Sequence, residues 1–388
     1  MEDTVIVFGI GPAGLFVSQQ LKKFKSAELI GIGKKDDIGR YSNVFSSLFL
    51  SEQPVAILSY INSIIDCRAG KKVKGLFCSD QYLTMAIEDI PQLFCLLDFC
   101  EPQEHILRLI ADKVQLIQNA HSLGVNFPKE YNPVSFEGDD FTAYPVAIKP
   151  NIKRGHSSLP KIAVVNNAQE KKHYLANARD AGISPSDLIV QQYVSGSNDC
   201  EYGYGGYFRN GKPICDICFR QLRQYPQGVC CYILEVTDAK LSTKIKSQPL
   251  AFAQKLNYSG FLQFDIKIDN ITSEVFSLDI NPRPWGSVSA LRGKCGDLTV
   301  FDGTSESKPI CWRFPLKELF ALGNKSNVSY KRCREIKRGK NFATIVDLYD
   351  KHDIKPFLMQ PVISLAKMLG RIAFRNNKRP TKEETNSE

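Results

Sequence analysis

The 388 residues are too many for one ordinary hydrophobic core and point to two or three domains or lobes. A composition of 43% hydrophobic and 23% charged residues fits a soluble globular chain, with no apolar run long enough to span a bilayer. The net charge of +9 is moderate and its basic runs lack interleaved aromatics, so no nucleic-acid partner is expected.

Residues 4–9 (TVIVFG) read as a buried strand, followed by a glycine turn and a helix to about Lys23. The opening MEDTV carries acids where a signal peptide needs bases, so a cytoplasmic location is expected, with most of the twelve cysteines acting as small core residues. Residues 28–32 read as a second strand, and alternating patterns continue to a helix near 81–97. This describes a βα-repeating domain over 1–100 with a parallel sheet. GIGPAG (9–14) fits the G-x-G-x-x-G pattern of NAD(P)- or FAD-dependent oxidoreductases. The acid that pattern needs at the end of the second strand is missing, because Gly33 and Lys34 stand there. A tight glycine turn that binds no nicotinamide is the preferred reading.

A second region spans 101–300. Asp112 is a good N-cap for a helix over 113–123, which Gly124 closes. Strands are expected at 144–150, 162–165 and 188–194, with a helix at 167–181. The loop NIKRGHSSLP follows the first of these strands. A long antiparallel stretch runs over 200–236 with turns at Asn210-Gly211 and Gln227-Gly228, then a helix at 245–257. Cys215 and Cys218 form a C-x-x-C, but residues three apart on a strand face opposite ways, which makes a poor metal clip. Beyond 300 the pattern weakens into an extension (301–380) and a disordered tail (381–388). Within the extension, 358–375 reads as an amphipathic helix with Val362, Leu365, Leu369 and Ile372 against Lys367, Arg371 and Arg375. It either packs on the body or makes a weak contact with an anionic membrane surface.

The most informative stretch is GFLQFDIKIDNITSEVFSLDINPRPWG (260–286). Its two alternating strands fold about Thr272 and bring Asp265 opposite Asp279, with Asn281 on the same face. Facing carboxylates destabilise a ladder unless one is protonated or a cation sits between them. Three oxygen ligands with no nearby His or Cys suit Mg²⁺, completed by water and nucleotide phosphates, rather than zinc.

This hairpin with NPRPWGS resembles the metal-binding core of ATP-grasp enzymes, most closely the carboxylate–amine ligase branch that includes D-aspartate ligase-like proteins. LFCSD, ADKVQLIQNAHSLGVNFP, YPVAIKP, LIVQQYVSG and FRQLRQYPQGV resemble further family segments in the right order, covering roughly residues 5–300. The resemblance implies a mixed α/β and α+β chain. A Rossmann-like pre-ATP-grasp domain would precede a two-lobed ATP-grasp fold, with a mobile nucleotide-covering lobe at 101–195 and a metal-binding lobe at 196–300. It implies an ATP- and Mg²⁺-dependent (Mn²⁺ as substitute) ligase that joins a small-molecule carboxylate to an amine through an acyl phosphate. Asp265, Asp279 and Asn281 would hold the metal. Lys113 and Lys149 would contact phosphates, and Arg283 would reach the transferring phosphoryl group. Arg220 and Arg223 would bind the carboxylate or phosphate, as guanidinium forks do. Gln191, Gln192, Tyr193 and Val194 would form the adenine hinge, with Gln191 where the family has a glutamate. Either Asp199 or Glu201 would take the ribose hydroxyls. The phosphate loop is poor in glycine, so Ser157 and Ser158 would donate in place of backbone amides. A non-catalytic ATP-binding regulator on the same fold is the alternative, and the retained metal ligands argue against it.

Overall fold

The computed structural model describes residues 3–24, 27–68, 72–99, 102–150, 159–160, 162–197, 200–225, 228–294, 308–323 and 327–377. The first sheet follows from the alternating strand and helix patterns. Its strands are β1 (Asp3–Phe8), β2 (Ala27–Gly33), β3 (Ser47–Leu50), β4 (Val73–Phe77) and β5 (Asp98–Phe99), all parallel, in the order β3-β2-β1-β4-β5. Successive side chains of β1 enter different cores, Val5 and Val7 one and Ile6 and Phe8 the other. A strand covered on both faces has no polar register, which is why VIVF (5–8) is continuously apolar. A Cβ on Gly14 would lie 1.9 Å from the Gly9 carbonyl oxygen, so close helix–strand packing alone accounts for that glycine of GIGPAG. The helix expected over 81–97 is two, Asp80–Glu88 and Leu93–Leu96, separated at Pro91.

The second sheet is antiparallel: β6 (Glu130–Tyr131), β7 (Val146–Pro150), β8 (Ala163–Val165) and β9 (Leu188–Gln192), in the order β6-β9-β7-β8. Helix Ala168–Asp180 starts where Asn167 caps it, accepting from the Glu170 amide at 2.9 Å. Its Tyr174, Leu175 and Ala178 share a core with Val146, Ile148 and Val190.

The third and largest sheet holds β10 (Glu201–Arg209), β11 (Lys212–Gln224), β12 (Cys230–Glu235), β13 (Gly260–Ile268), β14 (Val275–Asn281), β15 (Ile310–Arg313) and β16 (Ala343–Val346). Their order is β14-β13-β10-β11-β12-β15-β16. Asn210 and Gly211 both have positive φ (49° and 74°), the signature of a tight hairpin turn between β10 and β11. The helix read at 245–257 begins earlier, at Ala239, where Asp238 caps it by accepting from the Leu241 amide at 2.7 Å. Its first turns are too polar to show a helical period.

One face of this sheet packs Tyr202, Tyr204, Phe264 and Ile266 against Ile245 and Phe252 of that helix. The other packs Phe219, Phe261 and Ile233 with Trp285. Cys215 and Cys218 fall into these opposite cores, as strand alternation requires. Cys218 is a buried thiol pushed up to about 12 by desolvation, whereas Cys215 is disulfide-bonded rather than a reduced core thiol. The sheet crosses the boundary expected at residue 300: β15 pairs antiparallel with β12, and β16 parallel with β15. Trp312 of β15 is 1% exposed, so this part of the extension is core. Among the described residues, no helix is long and apolar enough to cross a membrane.

Candidate functional site

The hairpin register is the one its symmetry requires. Asp265 pairs with Asp279 and Gln263 with Asn281, with an irregularity just after Asp265. The turn that sets this register is built by Asp269, whose Oδ1 accepts from the amides of Ile271 (2.8 Å) and Thr272 (2.9 Å). The two facing carboxylates are each met by donors. Asp265 Oδ1 accepts from Gln263 Nε2 (2.7 Å) and Gln221 Nε2 (3.0 Å). Asp279 Oδ1 lies 2.7 Å from Lys113 Nζ. Asn281 donates through Nδ2 to Gln263 Oε1 at 2.6 Å, which commits its nitrogen and leaves its oxygen as the acceptor atom.

The donor chemistry fits a hard divalent cation. Two carboxylates and an amide oxygen share one sheet face, and no group of three or more His, Cys, Asp or Glu side chains suited to a metal occurs among the described residues. So sparse an oxygen set suits Mg²⁺ sharing its shell with water and phosphate, and is wrong for structural zinc.

β14 is the edge strand of its sheet, and lysines meet its outward carbonyls. Lys149 Nζ donates to the Leu278 carbonyl (2.9 Å), and Lys113 Nζ to that of Ile280 (2.8 Å). The two lysines therefore bracket Asp279. Lys113 is delivered by the start of helix Lys113–Gln118, which Asp112 caps by accepting from the Gln115 amide at 3.1 Å. Lys149 comes from β7 of the second sheet and also approaches Gln191 Oε1 at 3.4 Å. Gln191 thus faces the lysine and is 3% exposed.

The rest of the segment 191–194 is held largely by its backbone. The Gln192 amide donates to Lys129 O (2.8 Å) and the Tyr193 amide to Pro145 O (3.3 Å). Val194 is buried. Lys267 Nζ sits 4.7 Å from the Tyr193 ring centroid, and Lys267 pairs in register with Glu201. Glu201 also accepts from Gln224 Nε2. Burial pushes its carboxyl upward, opposed by Lys267 and Gln224. Ser157, Ser158 and Asp199 lie outside the described residues.

Arg283 follows β14 and is partly buried. Nε and Nη2 of its guanidinium donate to the two carboxylate oxygens of Asp80, and Nη1 donates to Pro284 O at 2.9 Å. Asp80 opens helix Asp80–Glu88, so the first sheet's domain is ion-paired to the segment beyond the hairpin.

Two expected site residues are elsewhere. Arg220 pairs in register with Tyr202, and Tyr202 with Ile266, which places all three on the face opposite Asp265. There Arg220 Nη2 donates to the Tyr202 hydroxyl at 2.6 Å. Arg223 would share the Arg220 pattern or reverse it depending on the strand's regularity, and an irregularity at Leu222 decides the matter. Its guanidinium is buried against Glu318, the Val328 carbonyl and the rings of Tyr232 and Tyr330. Both arginines are therefore withdrawn from the substrate role. Conversely, Gln221, Gln263, Lys267 and Asp80 were not foreseen. Gln263 and Lys267 were findable, since both lie two residues from Asp265 on its face. Gln221 and Asp80 come from remote segments with no local signal.

No family model matches the sequence, and no curated protein matches it. Solved structures do. An N5-carboxyaminoimidazole ribonucleotide synthetase in complex with ADP aligns with TM-score 0.63 at 11% identity, over 80% of each chain. The biotin carboxylase domain of Hydrogenobacter thermophilus 2-oxoglutarate carboxylase, solved with MgADP, ADP and bicarbonate, aligns with TM-score 0.59 at 14% identity, over 76% of this chain and 67% of that one. An L-amino acid ligase from Bacillus licheniformis gives TM-score 0.55 at 10% identity, over 76% and 71%. The chain has the ATP-grasp fold.

Proposed function

We propose that the protein is an ATP- and Mg²⁺-dependent ligase that joins a carboxylate to an amine and releases ADP and phosphate. The observation that carries this reading is Asp265 facing Asp279, beside Asn281, with Lys113 and Lys149 donating to the carbonyls of edge strand β14 on either side of Asp279. That nucleotide complexes of the structural neighbours include ADP and MgADP supports it. ATP with Mg²⁺ would supply the phosphoryl group that converts the carboxylate to an acyl phosphate; the amine then attacks the acyl carbon, expels phosphate and, losing a proton, leaves the amide. Asp265, Asp279 and the Asn281 oxygen would hold the metal, kept in place by the Gln221 and Gln263 amides. Lys113 and Lys149 neutralise phosphate charge, which is most of what phosphoryl transfer needs from a protein. Arg283 exchanges Asp80 for the transferring phosphoryl group or the acyl phosphate. Residues 191–194 receive the adenine and Glu201 the ribose. The first sheet's domain is read as the Rossmann-like pre-ATP-grasp domain and the second sheet as the nucleotide-covering lobe.

ADP release screened across carboxylates and amines, followed by mass spectrometry of the product, tests the activity. Asp279→Asn is expected to lower turnover at least ~100-fold, the scale of losing one electrostatic group at a reacting centre. An unchanged rate in that variant refutes the metal assignment.

A further inference from the structure

Helix Lys355–Asn377 carries an apolar face that the body does not use. Leu358, Val362 and Leu365, spaced i, i+4, i+7, are 61%, 56% and 53% exposed. This spacing puts them on one stripe of the helix. Val362 and Leu365 of the stripe read from the sequence are thus turned outward, and Ile363 is buried instead, with Phe357 and Met359 against the same core; the side chains of Leu369 and Ile372 lie outside the described ones. The helix is firmly seated at its start. Asp353, just before it, accepts from Gln19 Nε2 (3.0 Å), the Ser42 hydroxyl (2.5 Å) and the Asn43 amide (3.3 Å). The apolar stripe is therefore presented away from the protein on a fixed base.

The charge of this segment selects what covers the stripe. From residue 355 to 382 the sequence holds seven Lys or Arg and no Asp or Glu. We propose that this helix docks the protein on an anionic lipid surface, lying in the interface with Leu358, Val362 and Leu365 inserted. A basic amphipathic helix is the form such binding takes, and the helix is not apolar enough to span. A groove that wraps a helix needs more than one of its faces, and here the body already holds the opposite side. The exposed stripe is aliphatic and offers nothing for bases to stack on, which disfavours nucleic acid.

The test is co-sedimentation of the full chain with phosphatidylcholine vesicles containing or lacking 30% phosphatidylserine, in low and high salt. Binding to the anionic vesicles should exceed that to neutral ones at least tenfold and fall steeply with salt. The triple variant Leu358→Ser, Val362→Ser, Leu365→Ser should weaken it at least tenfold with an unchanged melting curve, because all three side chains are exposed. Equal vesicle binding by the variant and the parent overturns the proposal. So does absence of binding to anionic vesicles, or a dimer of the parent that the variant loses.

Discussion

Asp347 shows how one buried group sets a pH dependence. Trp312 Nε1 donates to Ser289 Oγ (2.7 Å), which donates to Asp347 Oδ1 (2.6 Å). Oδ2 of the same carboxyl has no hydrogen-bond partner among the described residues. Burial pushes the carboxyl up to about 6, only partly opposed by the Ser289 hydrogen bond and Lys317. Against an unfolded value of ~3.9, the folded protein binds the extra proton between these limits, so stability rises as pH falls from about 6 towards ~4. At neutral pH the ionised group costs about 3 kcal/mol. Asp347→Asn is expected to abolish that slope and to raise stability at pH 7.5 by about 1 kcal/mol, less than the full cost because its amide nitrogen would also be unpartnered. Urea denaturation at pH 4.5, 6 and 7.5 checks this; an unchanged slope shows that Asp347 is not its source.

At the scale of elements, the join between β11 and helix Pro315–Ala321 rests on a buried ion pair. Arg223 and Glu318 side chains are each 2% exposed, and Glu318 also accepts from Arg313 Nε at 2.7 Å. Removing one partner of such a pair leaves an uncompensated buried charge. Glu318→Ala should therefore destabilise by about 3–5 kcal/mol, whereas Arg223→Met combined with Glu318→Leu should recover much of the loss. Chemical denaturation distinguishes the two, and equal damage from both would show that packing rather than charge dominates there. The placement of Arg223 was not legible in FRQLRQ, since strand alternation alone cannot reveal a register break at Leu222. Elements whose own residues carried the signal were legible. The pairing of Asp265 with Asp279 followed from alternation and a single turn, and Asp112 marked its helix start as a cap.

Over the whole molecule, the second sheet is clasped to the third through Asp269. Its carboxylate accepts from the amide (3.0 Å) and hydroxyl (2.9 Å) of Ser195, just past β9, as well as from its own turn. The Thr272 amide and these other donors hold its carboxyl well below the usual range. Such a depressed group contributes stability above ~4 that is lost as pH falls below that value. Asp269→Asn should lower stability at pH 7 by about 2 kcal/mol and flatten the acid limb. It should also loosen the segment that leaves β9, read as faster amide hydrogen exchange at 193–196; unchanged exchange there would show that the clasp does not restrain the second sheet.

The sequence by itself determined what depends on near neighbours: strand and helix periods, the turn at 269–272, and the meeting of Asp265 with Asp279 across one hairpin. It also carried enough ordered motifs to point to the ATP-grasp fold that the solved structures match. Only the tertiary structure decided the long-range pairings, because no local pattern encodes them. Asp80 reaches Arg283, Gln221 of β11 reaches Asp265 of β13, and residues 310–313 and 343–346 complete the central sheet. Those contacts form between segments far apart in the chain, where burial and charge compensation, rather than backbone preference, choose the partner.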